Sequence, residues 1–216
     1  MRIFRYGVLM LCSMFCWSTL AQSRYVRGTH YMAIPTPQAT SNPGRIEVVE
    51  VFWYGCSHCA NFEPYLERWL ANKPGDVDFL RLPAVFSSNQ EAHARAFFAA
   101  EKLGVIATVH PLIYRAIHTD NQPLNTEGLL ADFFAKNGVD PDNFRKAFLS
   151  FEVDGKLNRA RQLSRLYGIS GTPSIVVNGR YWTSGSLAGS YVDMLKIVDE
   201  LVANERGQGR NSAAGR

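Results

Sequence analysis

What most constrains this chain is a pair of cysteines placed where two unlike segments meet, in the run Phe52-Trp53-Tyr54-Gly55-Cys56-Ser57-His58-Cys59. Before the pair, Ile46 to Tyr54 is dense in Val, Phe, Trp and Tyr, the composition of a buried strand. After it, Phe62, Tyr65, Leu66 and Leu70 recur at helical spacing and predict a helix over 61–71, with Pro64 placed to kink its second turn. A strand must end and a helix begin at Cys-x-x-Cys. A thiolate there faces unpaired backbone N–H groups and the positive end of the helix dipole, so its pKa falls. The pair is suited to alternate between dithiol and disulfide. Two other readings compete. A static disulfide across so small a loop would stabilise little. A zinc half-site needs two further ligands, and His110 and His118 are too far apart to match. No metal or cofactor is called for.

The rest of the chain sets this junction in an α/β frame. Val77 to Leu82 reads as a second strand. Helical periodicity then runs through 90–103, 105–117, 126–137, 141–148 and 157–167, punctuated by Gly104, Asn121–Pro123 and Gly138–Pro141. Strand character returns at 174–177, Asn178-Gly179 is a strong hairpin signal, and 180–183 answers it. Tyr191, Met194, Leu195, Val198, Leu201 and Val202 give a last amphipathic helix. The order is β-α-β, a helical block, then β-β-α, which argues for an α/β core interrupted by helices. The block is too long for a crossover and too helical for a loop. Its aromatics, Phe97, Phe98, Phe133 and Phe134, read as core, and His30, His93, His110 and His118 as structural.

The N-terminus carries Arg2 and Arg5, an uncharged and mostly apolar stretch from Tyr6 to Leu20, and Thr19-Leu20-Ala21 as a small-x-small site. That is the pattern of a cleaved secretory signal peptide over residues 1–21, with an uncleaved anchor as the alternative. Cleavage would remove Cys12 and Cys16 and leave Cys56 and Cys59 as the only thiols, in a compartment where disulfides persist. Removing two arginines also takes the 23 basic residues to 21 against 19 acidic ones, too weak a balance to imply nucleic acid.

Strand parity singles out one acid. Ile46, Val48, Glu50 and Phe52 share a face, so Glu50 sits on an apolar stripe of a strand buried on both sides. Burial should raise its pKa.

Taken together, the aromatic strand into Cys56–Cys59, the histidine between the cysteines, the helical insert, and Gly171-Thr172-Pro173 before the last hairpin resemble the thioredoxin superfamily. Within it, the chain resembles the DsbA family of periplasmic disulfide oxidases of Gram-negative bacteria. The resemblance implies a thioredoxin fold with an inserted α-helical domain. Residues 22–86 and 166–206 would form the thioredoxin part, 87–165 the insert, and 207–216 a disordered tail. It implies that Cys56 is the exposed nucleophile and Cys59 the buried resolving thiol. Pro173 would be a cis-proline against the pair, with Thr172 holding a substrate strand, and Glu50 would be a buried acid that relays the Cys59 proton. His58 would stabilise the Cys56 thiolate. The family commonly has Pro-His between the cysteines. This chain has Ser57-His58, so Ser57 retunes the potential and brings a donor that proline lacks.

The implied activity is transfer of the Cys56–Cys59 disulfide to reduced secreted polypeptides. The implied reoxidant is a DsbB-like membrane protein, and a monomer is the default. A reductase or isomerase on the same fold, or a peptide-binding chaperone module, are the alternatives. The roughly 25 residues between the cleavage site and the active-site strand are too few for a separate dimerisation domain, which weakens the isomerase reading.

Overall fold

A computed structural model describes residues 24–214; the expected signal peptide, with Cys12 and Cys16, lies outside them. Among the described residues, five strands form one mixed sheet in the order β1-β5-β4-β2-β3. At one side of the sheet β2 (Ile46–Phe52) pairs with the edge strand β3 (Val77–Pro83), parallel and in register over their full length, with Glu50 opposite Arg81. They are joined by α1 (Ser57–Asn72), which carries Pro64 inside it and runs on to Asn72. On the other side β2 pairs antiparallel with β4 (Ser174–Val177), and β4 with β5 (Tyr181–Ser184). The β4–β5 hairpin turns on Asn178 (φ 52°) and Gly179 (φ 62°). A Cβ on Gly179 would lie 2.2 Å from the Gln38 carbonyl oxygen, so both conformation and space require glycine. A two-residue strand, β1 (Met32–Ala33), adds to β5; it is too short to leave a periodic signal in the sequence.

The expected helical block stands between β3 and β4 as five helices: α2 (Ser88–Lys102), α3 (Ile106–His118), α4 (Glu127–Lys136), α5 (Pro141–Phe148) and α6 (Phe151–Leu166). Thr126, Asp140 and Ser150 cap α4, α5 and α6 by accepting from backbone amides in the first turn. The last of these corrects the sequence reading, which began this helix at Leu157. Its first turn alternates apolar and acidic residues, with Val153 buried but Phe151 91 % exposed, so the cap is a better marker of the start than the apolar pattern. Phe97, Phe98, Phe133 and Phe134 are buried in the block's core, as expected, and Phe144 joins them. A short α7 (Gly185–Ala188) leads into α8 (Tyr191–Ala214). Residues 207–214, expected to belong to a disordered tail, continue α8. Extending an existing helix adds a hydrogen bond per residue without a nucleation cost.

All seven residues of β2 are buried, because both faces of the sheet are covered. Val49 and Val51 face the core shared with the insert. Ile46 and Val48 pack with Phe62 and Leu66 of α1 and with Met194, Ile197 and Val198 of α8. Glu50 is opposite Ile175, which belongs to that second core, so the acid shares the face of Ile46 and Val48 as strand parity predicts; Phe52, expected on the same face, instead packs on Phe97 and His110 of the insert, where the strand ends.

Candidate active site

The loop from β2 to α1 is fastened to the insert by three histidines. Trp53 donates from Nε1 to Nδ1 of His93 (3.0 Å). The Tyr54 hydroxyl pairs with Nδ1 of His110 (2.8 Å), and His118 donates from Nε2 to the Tyr54 carbonyl (2.7 Å). The indole of Trp53 folds over Gly55 so closely that a Cβ there would lie 2.4 Å from the ring. The sequence marks these histidines only as structural. The signal was present in α3, where His110, Tyr114 and His118 recur every fourth residue and so share a face.

This loop delivers Cys56 as the N-cap of α1, in extended conformation and with no side chain capping the first-turn amides. Those amides are left for the sulfur. The Cys56 thiol is lowered to about 5, first by a hydrogen bond from the Cys59 thiol, then by the Thr172 side chain and the backbone N–H groups of Cys59 and His58, against an opposing effect of burial. Cys59 is fully buried, and burial pushes its thiol far up; its bond to Cys56 and the charges of Cys56 and Glu50 add to that. Both cysteines are free thiols. The pair thus holds one partly exposed, acidic sulfur and one buried sulfur that keeps its proton. The sequence pointed to the helix terminus as the main cause of the low pKa. The larger contribution is Cys59 itself.

From the far end of the chain, Thr172 brings its carbonyl 3.3 Å from the Cys56 sulfur, which donates to it, and the Thr172–Pro173 peptide bond is cis, as expected. Beside it lies a groove of about 620 Å³ lined by His58, Tyr65, Thr172, Pro173, Trp182 and Tyr191, among others. Ser57 and His58 are exposed on the first turn of α1. The His58 ring comes within reach of Tyr191. Its Nδ1 lies 3.4 Å from the hydroxyl of Tyr191, which donates to the His58 carbonyl (3.0 Å). Tyr191 was read from sequence only as a core position of the last helix.

Beneath the pair, Glu50 is wholly buried. Arg81, its cross-strand neighbour, donates to it from Nε (3.2 Å) and to Glu63 (3.2 Å) and Glu67 (2.7 Å) of α1 from Nη2. Burial raises Glu50 to about 8, helped by the charge of Glu63 and opposed by Arg81. His110 Nε2 stands 3.6 Å from Glu63 Oε1, and burial lowers the pKa of that histidine. Arg81 and Glu63 were missed in the sequence. The spacing of Glu63 and Glu67 marks one helix face, but only the parallel register of β2 and β3 puts Arg81 against it. Among the described residues, no three His, Cys, Asp or Glu side chains are grouped to hold a metal, and no helix is long and apolar enough to cross a membrane.

Comparison with known proteins agrees with this geometry. Residues 76–193 match the DSBA-like thioredoxin domain family. The thiol:disulfide interchange protein DsbA of Pseudomonas aeruginosa is 38 % identical over 200 residues, covering 93 % of this chain and 94 % of that protein. The DsbA of Azotobacter vinelandii is 40 % identical over 204 residues, with 93 % and 95 % covered. The crystal structure of P. aeruginosa DsbA superposes with a TM-score of 0.83 at 39 % identity, over 86 % of this chain and 97 % of that one. The crystal structure of Xylella fastidiosa DsbA gives 0.80 at 39 %, over 85 % and 98 %. A thioredoxin-like sheet interrupted by helices, a low-pKa cysteine at a helix N-terminus and these relatives lead to one conclusion: the chain belongs to the DsbA family and is a disulfide-donating thiol:disulfide oxidoreductase.

Proposed function

We propose that the oxidised Cys56–Cys59 pair passes its disulfide to reduced polypeptides after their export, through a mixed disulfide at Cys56. A substrate thiolate attacks the Cys56 sulfur, the bond to Cys59 breaks, and its electron pair leaves on Cys59. A protonated Glu50 beneath the pair supplies the proton that makes Cys59 a thiol. A second substrate thiolate then attacks the substrate sulfur of the mixed disulfide, and Cys56 leaves as thiolate. The substrate gains a disulfide and the enzyme ends reduced. Thr172 and Pro173 hold the substrate strand beside Cys56, with the groove below them taking its side chains. His58 and Ser57 tune the stability of the thiolate.

The observation that carries this reading is the asymmetry of the two sulfurs. A stabilised Cys56 thiolate favours the reduced enzyme and makes the disulfide a good oxidant. The same reading places the protein in the periplasm after loss of residues 1–21, as a monomer, reoxidised by a DsbB-like membrane protein. Family membership and the basic, then apolar, N-terminus support it. The test is the equilibrium reduction potential of residues 22–216 against a glutathione buffer. A value well above the glutathione couple is expected. A value near about −270 mV, in the range of thioredoxin, would make the protein a reductase.

A further inference from the structure

Tyr191 opens α8 and leans across the first turn of α1. Its ring packs on Phe62 and Tyr65, with centroids 5.4 and 5.6 Å apart, and Gly185 is close enough that a Cβ there would lie 3.4 Å from the ring. So clamped, the hydroxyl has one place to be. Its single proton goes to the His58 carbonyl at 3.0 Å, which leaves its lone pairs to accept from His58 Nδ1 at 3.4 Å. The groove wall on this side, formed by Tyr65, Thr172, Pro173, Ser190 and Tyr191, offers the imidazole no charged side chain. The Cys56 thiolate is the one strong acceptor within the same turn, yet the ring is engaged by a tyrosine.

We propose that Tyr191 is a positioning residue that holds the His58 imidazole on the groove side of the active-site turn, away from the Cys56 sulfur, and so tempers the oxidising strength of the disulfide. The inference rests on the reading of His58 as a residue that tunes the thiolate. Without the hydroxyl, the ring can donate to the Cys56 thiolate. That is a charge-assisted bond and stronger than its present neutral one. Loss of the Tyr191 bond to the His58 carbonyl acts the other way, by weakening the polarisation of the Cys59 amide, but such cooperative effects are a small fraction of one bond.

The test is Tyr191→Phe, which keeps the ring and its packing, made alone and together with His58→Ala in the full exported chain. The readouts are the thiolate absorbance of Cys56 against pH and the equilibrium with glutathione, in which the enzyme disulfide and two glutathione thiols exchange for the enzyme dithiol and one glutathione disulfide. Tyr191→Phe should move that equilibrium about threefold to tenfold toward the reduced enzyme, up to about 30 mV, with the Cys56 midpoint falling by about half to one pH unit. The shift should vanish in the His58→Ala background. No shift, or a rise in the midpoint, overturns the proposal. A shift of equal size in both backgrounds also overturns it, because Tyr191 then acts through the groove or the backbone. His58→Ala alone should leave the midpoint nearly unchanged, because the ring is held off the sulfur; a clear rise there would show His58 already tuning the thiolate and overturn the holding role alone, whereas a Tyr191→Phe midpoint that His58→Ala does not raise removes the tuning role itself.

Discussion

Replacing Glu50 with glutamine should make the protein more stable at alkaline pH and slower at its chemistry. Glutamine keeps the shape and removes the charge. In the folded protein the Glu50 carboxyl is raised from 4.5 to about 8, chiefly by burial and then by Glu63. A group whose folded pKa is raised holds its proton more tightly in the fold. Stability is therefore unaffected below the unfolded pKa near 4.5 and declines as pH rises toward 8. The displacement corresponds to roughly 5 kcal/mol once the carboxyl is ionised in both states. Arg81 keeps Glu63 and Glu67 as partners in the variant, but loses its bond to Glu50. We expect a net gain of about 2–4 kcal/mol at pH 8.5 relative to pH 4.5. Urea denaturation of both proteins across that range measures it. Equal pH profiles, or a wild type that gains on the variant as pH rises, would refute the reasoning. The same substitution should slow attack of Cys59 on a mixed disulfide at Cys56 by about a hundredfold at pH 7, since general acid–base groups contribute at least that much. Rapid mixing with a thiol-trapped substrate reads the rate directly, and an unchanged rate would remove Glu50 from the relay.

Two further outcomes are expected. Arg81→Met leaves Glu50 and Glu63 facing each other without their cation, and should cost about 3 kcal/mol near pH 9, where Glu50 ionises, with a smaller loss near pH 6, where its raised pKa of about 8 keeps it protonated; a loss that grows on acidification would contradict the network. The dithiol form should lose stability relative to the disulfide form as pH falls from 9 to 5. The Cys56 pKa is depressed from 9.0 to about 5, so its contribution is fully present above the unfolded pKa and disappears through the folded one. Parallel denaturant titrations of the two redox forms check this, and a gap that does not change with pH would count against a stabilised thiolate.

The sequence was informative where the physics is local. Strand parity alone put Glu50 on a buried stripe, and the side chain is wholly buried. The hairpin at Asn178-Gly179 and the helix begun at Cys56 were legible because turn chemistry and capping act over a few residues. What could not be read are contacts that depend on register and packing between distant segments. Arg81 is indistinguishable from a surface arginine until β3 is laid beside β2 in register. Tyr191 looks like any core position of an amphipathic helix until α8 is docked on α1. His93 and His110 are ordinary buried histidines until the loop at Trp53 and Tyr54 is set against α2 and α3.

The insertion of α2–α6 between β3 and β4 also bears on when the protein becomes reactive. Cys56 and its partner Thr172 are 116 residues apart in sequence. A chain that has been made only as far as α1 can place Cys56 at a helix terminus beside Cys59. It cannot offer the sulfur Thr172, and it cannot complete the sheet that buries Cys59, because β4 has not yet arrived. Bringing the ends of the insert together costs about 4 kcal/mol in loop entropy, so this closure comes late and is favoured only once the insert has packed. A disulfide catalyst that became reactive too soon would meet other thiols while still unfolded. The complete surroundings of the reactive sulfur are therefore a property of the closed fold and not of the Cys-x-x-Cys segment alone.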